Sequence, residues 1–201
     1  MIVGLAGKTC AGKDTLVPFF VDRGFACIDA DALGHRALEA NREAVLARFG
    51  TVDRKALGAT VFSNKQALTD LEAITHPWIG SEIRRLVAAA TTPVVINAAL
   101  LHKEGLFQLC DVVVWVQAPL WTRLLRARHR DRSSWWRIFS RVWSQRKLGT
   151  QVFPPNVDIL KVNNRGSSLN RDIPLEARRM LEARFGRVPA LPKKEDTHEK
   201  Q

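Results

Sequence analysis

Eight residues near the start of the chain, Gly7-Lys8-Thr9-Cys10-Ala11-Gly12-Lys13-Asp14, follow the spacing G-x-x-x-x-G-K-[ST] at every fixed position but the last. Glycines at this spacing let consecutive peptide N–H groups turn inward around a phosphate, and the positive end of a following helix adds attraction. Lys13 supplies a mobile point charge that can reach the β- and γ-phosphates of a nucleoside triphosphate. Position 14 ordinarily carries a hydroxyl that ligates Mg²⁺, a hard cation preferring oxygen donors at short range. Asp14 is also a hard oxygen donor. It either takes the metal, directly or through a water, or only accepts hydrogen bonds in the first turn of the helix. Thr15 follows, placed for the α-phosphate. The loop thus predicts a nucleoside triphosphate and Mg²⁺ as ligands, with residues 7–15 around the nucleotide.

A second cluster, Asp29-Ala30-Asp31, comes directly after another short apolar run. A carboxylate at the C-terminal end of a parallel strand faces the crevice where such sheets bind ligands. Phosphoryl transfer to a hydroxyl needs an acid group there, to orient the nucleophile and take its proton. Aspartates after strands also cap the next helix, and Asp29 is a candidate for that.

These groups need a sheet to hold them. Residues 2–6 form an apolar run ending at a glycine turn, as a buried parallel strand does. Residues 12–23 read as a helix with Val17, Phe20 and Val21 toward the core, stopped by Gly24. Pro18 falls near its first turn, where a lost backbone donor costs least. Residues 25–28 form a second strand, completing a βαβ unit. The stretch 34–90 is mostly helical by pattern: 36–49 closed by Gly50, then 65–75 interrupted at His76-Pro77, then 78–90. Residues 93–97 and 112–116 are apolar in the manner of central parallel strands. A basic helix over 121–147, a strand at 159–162 and a helix over 175–185 follow. The tail, 188–201, is charged and has no apolar anchor, so disorder is expected.

At 201 residues, 46% hydrophobic and 25% charged, the chain has the composition of one globular domain and not of a disordered protein. It has no apolar run approaching the roughly 18 residues of a membrane span. It opens straight into the first strand without a basic leader or cleavage site, so the expected address is the cytoplasm. Cys10, Cys27 and Cys110 are an odd count without metal spacing, which reads as free thiols and disfavours zinc. The net charge of +11 attracts polyanions without choosing among them. Most of the excess sits in one segment, with arginines at 123, 126, 128, 130, 132, 137, 141 and 146 and tryptophans at 121, 135, 136 and 143. Three readings stay open for it. It is a solvated basic helix whose tryptophans pack on the core, a lid presenting a few arginines to phosphate, or an element tracking nucleic acid. Nucleic acid is disfavoured, because such composition is poorly specific.

Taken in order, the motifs resemble those of the dephospho-CoA kinase family, over residues 1 to about 185. That family carries a phosphate loop at its start, Asp-Ala-Asp (here Asp29 to Asp31) and His-Pro after a helical stretch (here His76-Pro77). It then has a strand ending in an acidic residue and Ile-Pro-Leu-Leu-Phe-Glu, whose counterpart here is Asn97-Ala98-Ala99-Leu100-Leu101-His102-Lys103. Its lid motif Arg-Ile-x-x-Gln corresponds to Arg141-Val142-Trp143-Ser144-Gln145, and its closing Asn-x-Gly element to Asn163-Asn164-Arg165-Gly166.

The resemblance implies an α/β, P-loop kinase-like fold of three layers with a central parallel sheet. The nucleotide-binding core would comprise 1–33, 92–120 and 148–187, with a helical acceptor-binding insertion at 34–91 and an arginine-rich lid at 121–147. It implies ATP-dependent phosphorylation of the 3′-hydroxyl of dephospho-CoA, with ATP and Mg²⁺ required and Asp14 at the metal. Asp31 would be the general base, and Lys13 and Arg141 would neutralise the transferring phosphoryl group. Asn163 and Asn164 would lie near the adenine, and His76, Leu100 and Lys103 would join Asp31 at the acceptor. Ala99 replaces a proline and Lys103 a glutamate in the acceptor segment, with Glu104 one residue on as a substitute carboxylate. A nucleoside monophosphate or other small-metabolite kinase is the nearest alternative, favoured by Asp14 and the altered segment. A nucleotide- or RNA-binding protein without turnover is the other. The sequence carries no signal for oligomeric state.

Overall fold

The computed structural model describes residues 1–99, 101–131, 148–165 and 173–186. The expected lid beyond residue 131, the tail from 188, Gly166 and the site residues Leu100 and Arg141 lie outside the described residues.

Five strands, β1 (Ile2–Gly7), β2 (Ala26–Asp29), β3 (Val94–Asn97), β4 (Val112–Gln117) and β5 (Ile159–Asn163), form one sheet in the order β2-β3-β1-β4-β5. All four pairings are parallel. The apolar runs explain the order: the strands reading Val-Val-Ile and Val-Val-Val-Trp-Val are buried on both faces and sit inside, whereas β2 and β5 are more exposed and form the edges. The chain moves from β1 to one side and later to the other, with β3 and β4 on its two flanks. The crevice where ligands bind therefore opens at the C-terminal end of β1.

Among the described residues seven α-helices accompany the sheet: α1 (Val17–Val21), α2 (Ala30–Ala40), α3 (Arg42–Phe49), α4 (Arg54–Ser63), α5 (Lys65–Ala89), α6 (Leu120–Asp131) and α7 (Leu175–Phe185). On one face, α1 and α7 bring Phe19, Phe20 and Leu181 onto Val3, Leu5 and Val114. On the other, α5 and the segment around Phe153 cover Ile96, Val113 and Trp115. A third cluster, Val45, Leu57, Val61 and Ala67, lies on α3, α4 and α5, with Leu38 of α2 packed against it. The helices between β2 and β3 thus carry their own small core.

Four expectations change. The helix after the glycine loop begins as a 3₁₀ turn over Lys13–Leu16 and becomes α-helical only at Val17. Pro18 has no N–H to offer the Asp14 carbonyl, so the Val17 N–H takes that acceptor and tightens the turn. Second, α5 runs unbroken for 25 residues through His76-Pro77. An interior proline costs about 3 kcal/mol locally, and burying the two halves of α5 in two different clusters offsets it. Third, a separate helix α4 stands in the region assigned only a general helical character; Asp53 caps it by accepting from the Ala56 N–H at 2.8 Å. Fourth, the one helix expected over 36–49 is broken at Asn41 (φ −110°, ψ 25°), which ends α2 and begins α3; Gly50 closes α3 as expected, with φ 68°.

Phe20 is fully buried and meets Phe19, Phe25 and Phe185 edge-to-face at centroid distances of 5.2–5.5 Å. Phe20→Ala should cost about 3–5 kcal/mol, the transfer term plus an aromatic-sized cavity. Urea unfolding should show a lowered midpoint with an unchanged slope.

Candidate nucleotide and acceptor site

The glycine loop leaves β1 with Gly7 pressed against β4. A Cβ there would lie 2.4 Å from the Val116 carbonyl oxygen, so only glycine lets the loop turn at this height. Cys10 (φ 59°) and Gly12 (φ 86°) take left-handed conformations within the turn, and the Ala11 N–H closes on the Lys8 carbonyl at 2.9 Å. Alternation of hand is what curls successive peptide N–H groups into an anion-binding concavity. The loop therefore fits a phosphate chain on geometry as well as on spacing.

Long-range contacts hold the loop from behind. Asn164, just past β5, is 1% exposed and donates through Nδ2 to the Gly12 carbonyl at 3.1 Å and to the Thr15 hydroxyl at 3.2 Å. The Thr15 hydroxyl in turn donates to the Gly12 carbonyl at 2.7 Å. From α6, Arg126 donates to the Ala11 carbonyl at 2.9 Å and to the Asn164 side chain at 3.2 Å, and Arg123 donates through Nε to the Thr9 carbonyl at 2.9 Å. Burial pulls both guanidinium pKa values down, yet arginine stays cationic. Two fixed positive charges thus sit directly behind the loop. The Cys10 side chain packs on Leu124 and Ala127 of the same helix.

In front of the loop, Lys13 is the hub. Its Nζ donates to Asp14 Oδ1 at 2.9 Å and to Asn97 Oδ1 at 3.0 Å, and lies 3.8 Å from an Asp31 oxygen. Its side chain is only 12% exposed, whereas those of Asp14 and Asp31 are 74% and 75% exposed. The ammonium is positioned by protein groups, and the two carboxylates present open faces to the crevice. Asp29 is occupied otherwise, capping α2 by accepting from the Asp31 and Ala32 N–H groups. That cap fixes the first turn of α2 and with it the backbone of Asp31.

Next to Asp31 opens a cleft of ≈ 490 Å³ between α2, α5 and the segment after β3, lined in part by His76, Ala98, Ala99, Lys103 and Glu104. Lys103 pairs with Glu72 of α5 at 2.6 Å. Burial, and then the nearby Lys103 charge, lowers the His76 pKa below its ordinary value, which keeps the ring neutral near pH 7. Glu104 sits at φ 55° next to Gly105 at φ 65°, and its carbonyl accepts from Arg84 at 2.6 Å. The helical turn after β3 is kinked there, which brings Glu104 rather than a regular continuation into the cleft.

Lys8 lines a separate cleft of ≈ 540 Å³ with Gln117 and Lys161, and its pKa is lowered by burial and by Arg123. The Asn163 side chain accepts from Gln117 at 2.7 Å. Trp121 is 66% exposed, so it does not pack on the core as the basic-helix reading expected. The loop-binding roles of Arg123 and Arg126 were not singled out among the eight arginines. Their signal is spacing: they flank the small buried stripe of Leu124 and Ala127, whereas composition alone treats all eight alike.

Residues 1–164 match the family described as dephospho-CoA kinase. The chain belongs to the dephospho-CoA kinase family. It is accordingly an ATP-using kinase, a nucleotide-binding transferase of CoA biosynthesis. Dephospho-CoA kinase of Treponema denticola is 32% identical over 187 residues, 84% of each chain. That of Treponema pallidum is 30% identical over 193 residues, 86% of this chain and 92% of its own. Among solved structures, TT1252 from Thermus thermophilus superposes with a TM-score of 0.69 at 26% identity, covering 92% of this chain and 97% of that one. Among the described residues no helix is long and apolar enough to cross a membrane.

Asn164→Ala would strip partners from Gly12, Thr15 and Arg126 at once. The expected loss is about 1–3 kcal/mol of stability for buried polar groups left unpaired, together with nucleotide binding weakened by about tenfold. Thermal melting and calorimetric titration with ADP measure the two separately.

Proposed function

We propose that this chain transfers the terminal phosphoryl group of ATP to the 3′-hydroxyl of dephospho-CoA, in the crevice between the glycine loop and the cleft beside Asp31. The observation that carries this reading is the convergence of Lys13 and Asp31, 3.8 Å apart at the mouth of that cleft. One group neutralises phosphate, the other accepts a proton, and the distance between them suits an acceptor oxygen entering beside a phosphate.

In this reading the loop peptides and Lys13 hold the phosphate chain, and Asp31 orients the acceptor hydroxyl and takes its proton. Phosphoryl transfer asks the protein mainly for positioning and charge neutralisation. The cations behind and within the loop, Arg123, Arg126 and Lys13, supply that charge without moving during the reaction. The residues present also fit Mg²⁺: Asp14 offers a hard carboxylate next to the phosphate position, and this ion keeps most of its shell as water and phosphate oxygens. Mg²⁺ bound there would offset negative charge on the nucleotide. The cleft, with neutral His76 and the Lys103–Glu72 pair, would receive the remainder of the acceptor. A further cation from the segment around Arg141, and contact of Leu100 with the acceptor, belong to the same proposal, as do an arginine-rich lid and a cytoplasmic setting.

Two measurements test this. ADP release should be fast with dephospho-CoA and near background with nucleoside monophosphates or no acceptor; the reverse preference would reject the acceptor. Asp31→Asn should lower kcat by about 10²–10⁴-fold, the range of general base catalysis, while ATP affinity stays near that of the unaltered chain. Full turnover in that variant would remove Asp31 from its role.

A further inference from the structure

The pair at positions 14 and 97 departs from the usual metal arrangement at both ends. In P-loop enzymes generally, a hydroxyl in the loop and an aspartate from a strand hold the ion. Here the loop position is Asp14, and the strand next to β1 ends in an amide, Asn97. β3 runs parallel to β1 with Leu5 opposite Asn97, which puts the Asn97 side chain at the crevice beneath the loop. It is 4% exposed and contacts both members of the Lys13–Asp14 pair.

The orientation of that amide follows from chemistry. Lysine has donors and no acceptor, so the Asn97 atom 3.0 Å from Lys13 Nζ is the oxygen. The amide nitrogen is then committed to Asp14 Oδ1, at 3.0 Å. An ionised aspartate at position 97 could not donate this bond, and two carboxylates at such a distance oppose each other's ionisation. With a hydroxyl at 14 and a carboxylate at 97, or with Asp14 and Asn97, the pair carries one negative charge. The two positions have exchanged charge without changing the total.

We infer that Asn97 is a positioning residue for a relocated metal carboxylate. Its amide holds Asp14 beside the phosphate position, so that Asp14 alone provides the divalent-cation ligand that a strand carboxylate provides elsewhere. The inference rests on the kinase reading and refines the metal end of that site. Asn97 acts through Asp14 and Lys13, the two groups its side chain bonds.

The test uses the full chain, with Mn²⁺ as the probe, its free signal followed by electron paramagnetic resonance at saturating ADP. D14S and D14N should each weaken Mn²⁺ binding by about tenfold or more. N97D should weaken ADP binding, because it adds a second carboxylate next to Lys13. The double variant D14S/N97D should recover Mn²⁺ affinity to within about threefold of the unaltered chain, a strongly non-additive cycle. A double variant as weak as D14S overturns the exchange, and undiminished binding by D14N overturns the role of Asp14. D14N keeps the shape of the site, so its result stands even where other variants lower the melting temperature. Absence of ADP-enhanced Mn²⁺ binding in the unaltered chain would instead sink the kinase reading itself.

Discussion

A single buried amide ties the far edge of the sheet to the glycine loop. Asn164 reaches Gly12 and Thr15 across 152 and 149 residues of sequence, and its own N–H bonds the Gln117 carbonyl at 2.7 Å. A peptide loop that curls its N–H groups around an anion must leave its carbonyls pointing backward, and buried carbonyls need donors. Asn164, Arg123 and Arg126 are those donors. Gly12 is required for the same reason, since a Cβ there would lie 2.3 Å from Asn164 Nδ2. The loop is therefore shaped from behind by β5 and α6 before any phosphate arrives.

That arrangement couples binding to fold. The register of β4 and β5 places Asn163 opposite Gln117, and Asn164 follows directly beneath the loop. α6 begins just after β4, so its first turns pass the loop with Arg123 and Arg126 inward and Trp121 outward. On the opposite flank β3 delivers Asn97 and β2 delivers the cap that holds Asp31. β2, β3 and β5 each contribute a polar group at or just past their C-terminal ends: Asp29, Asn97 and Asn164. A central parallel sheet is what allows chemistry from four distant stretches of chain to meet at one rim.

The parts of this site readable in the sequence are those with local grammar. Strand, glycine turn and Lys13 lie within a dozen residues, and Asp31 follows its strand directly, so both could be found from spacing. Asn97 and Asn164 could be placed only by resemblance, because an asparagine has no periodicity and its partners here lie 38 or more residues away. The unbroken α5 shows the converse. The breaking tendency of Pro77 is local and visible, while the two clusters that outweigh it are tertiary and invisible to pattern. The 3₁₀ start of the first helix was, in retrospect, written in the missing donor of Pro18. The separate helix α4 was likewise announced by the Asp53 cap.

The central physical claim is that this preformed loop and its lysine bind a nucleoside triphosphate by its phosphates. Calorimetric titration of the chain with magnesium-loaded ATP, set beside the Lys13→Met variant, tests it directly. The account predicts a single binding event, weakened by about tenfold or more when the charged donor of Lys13 is removed. Absence of binding to the unaltered chain, or equal affinity in the two, would contradict it.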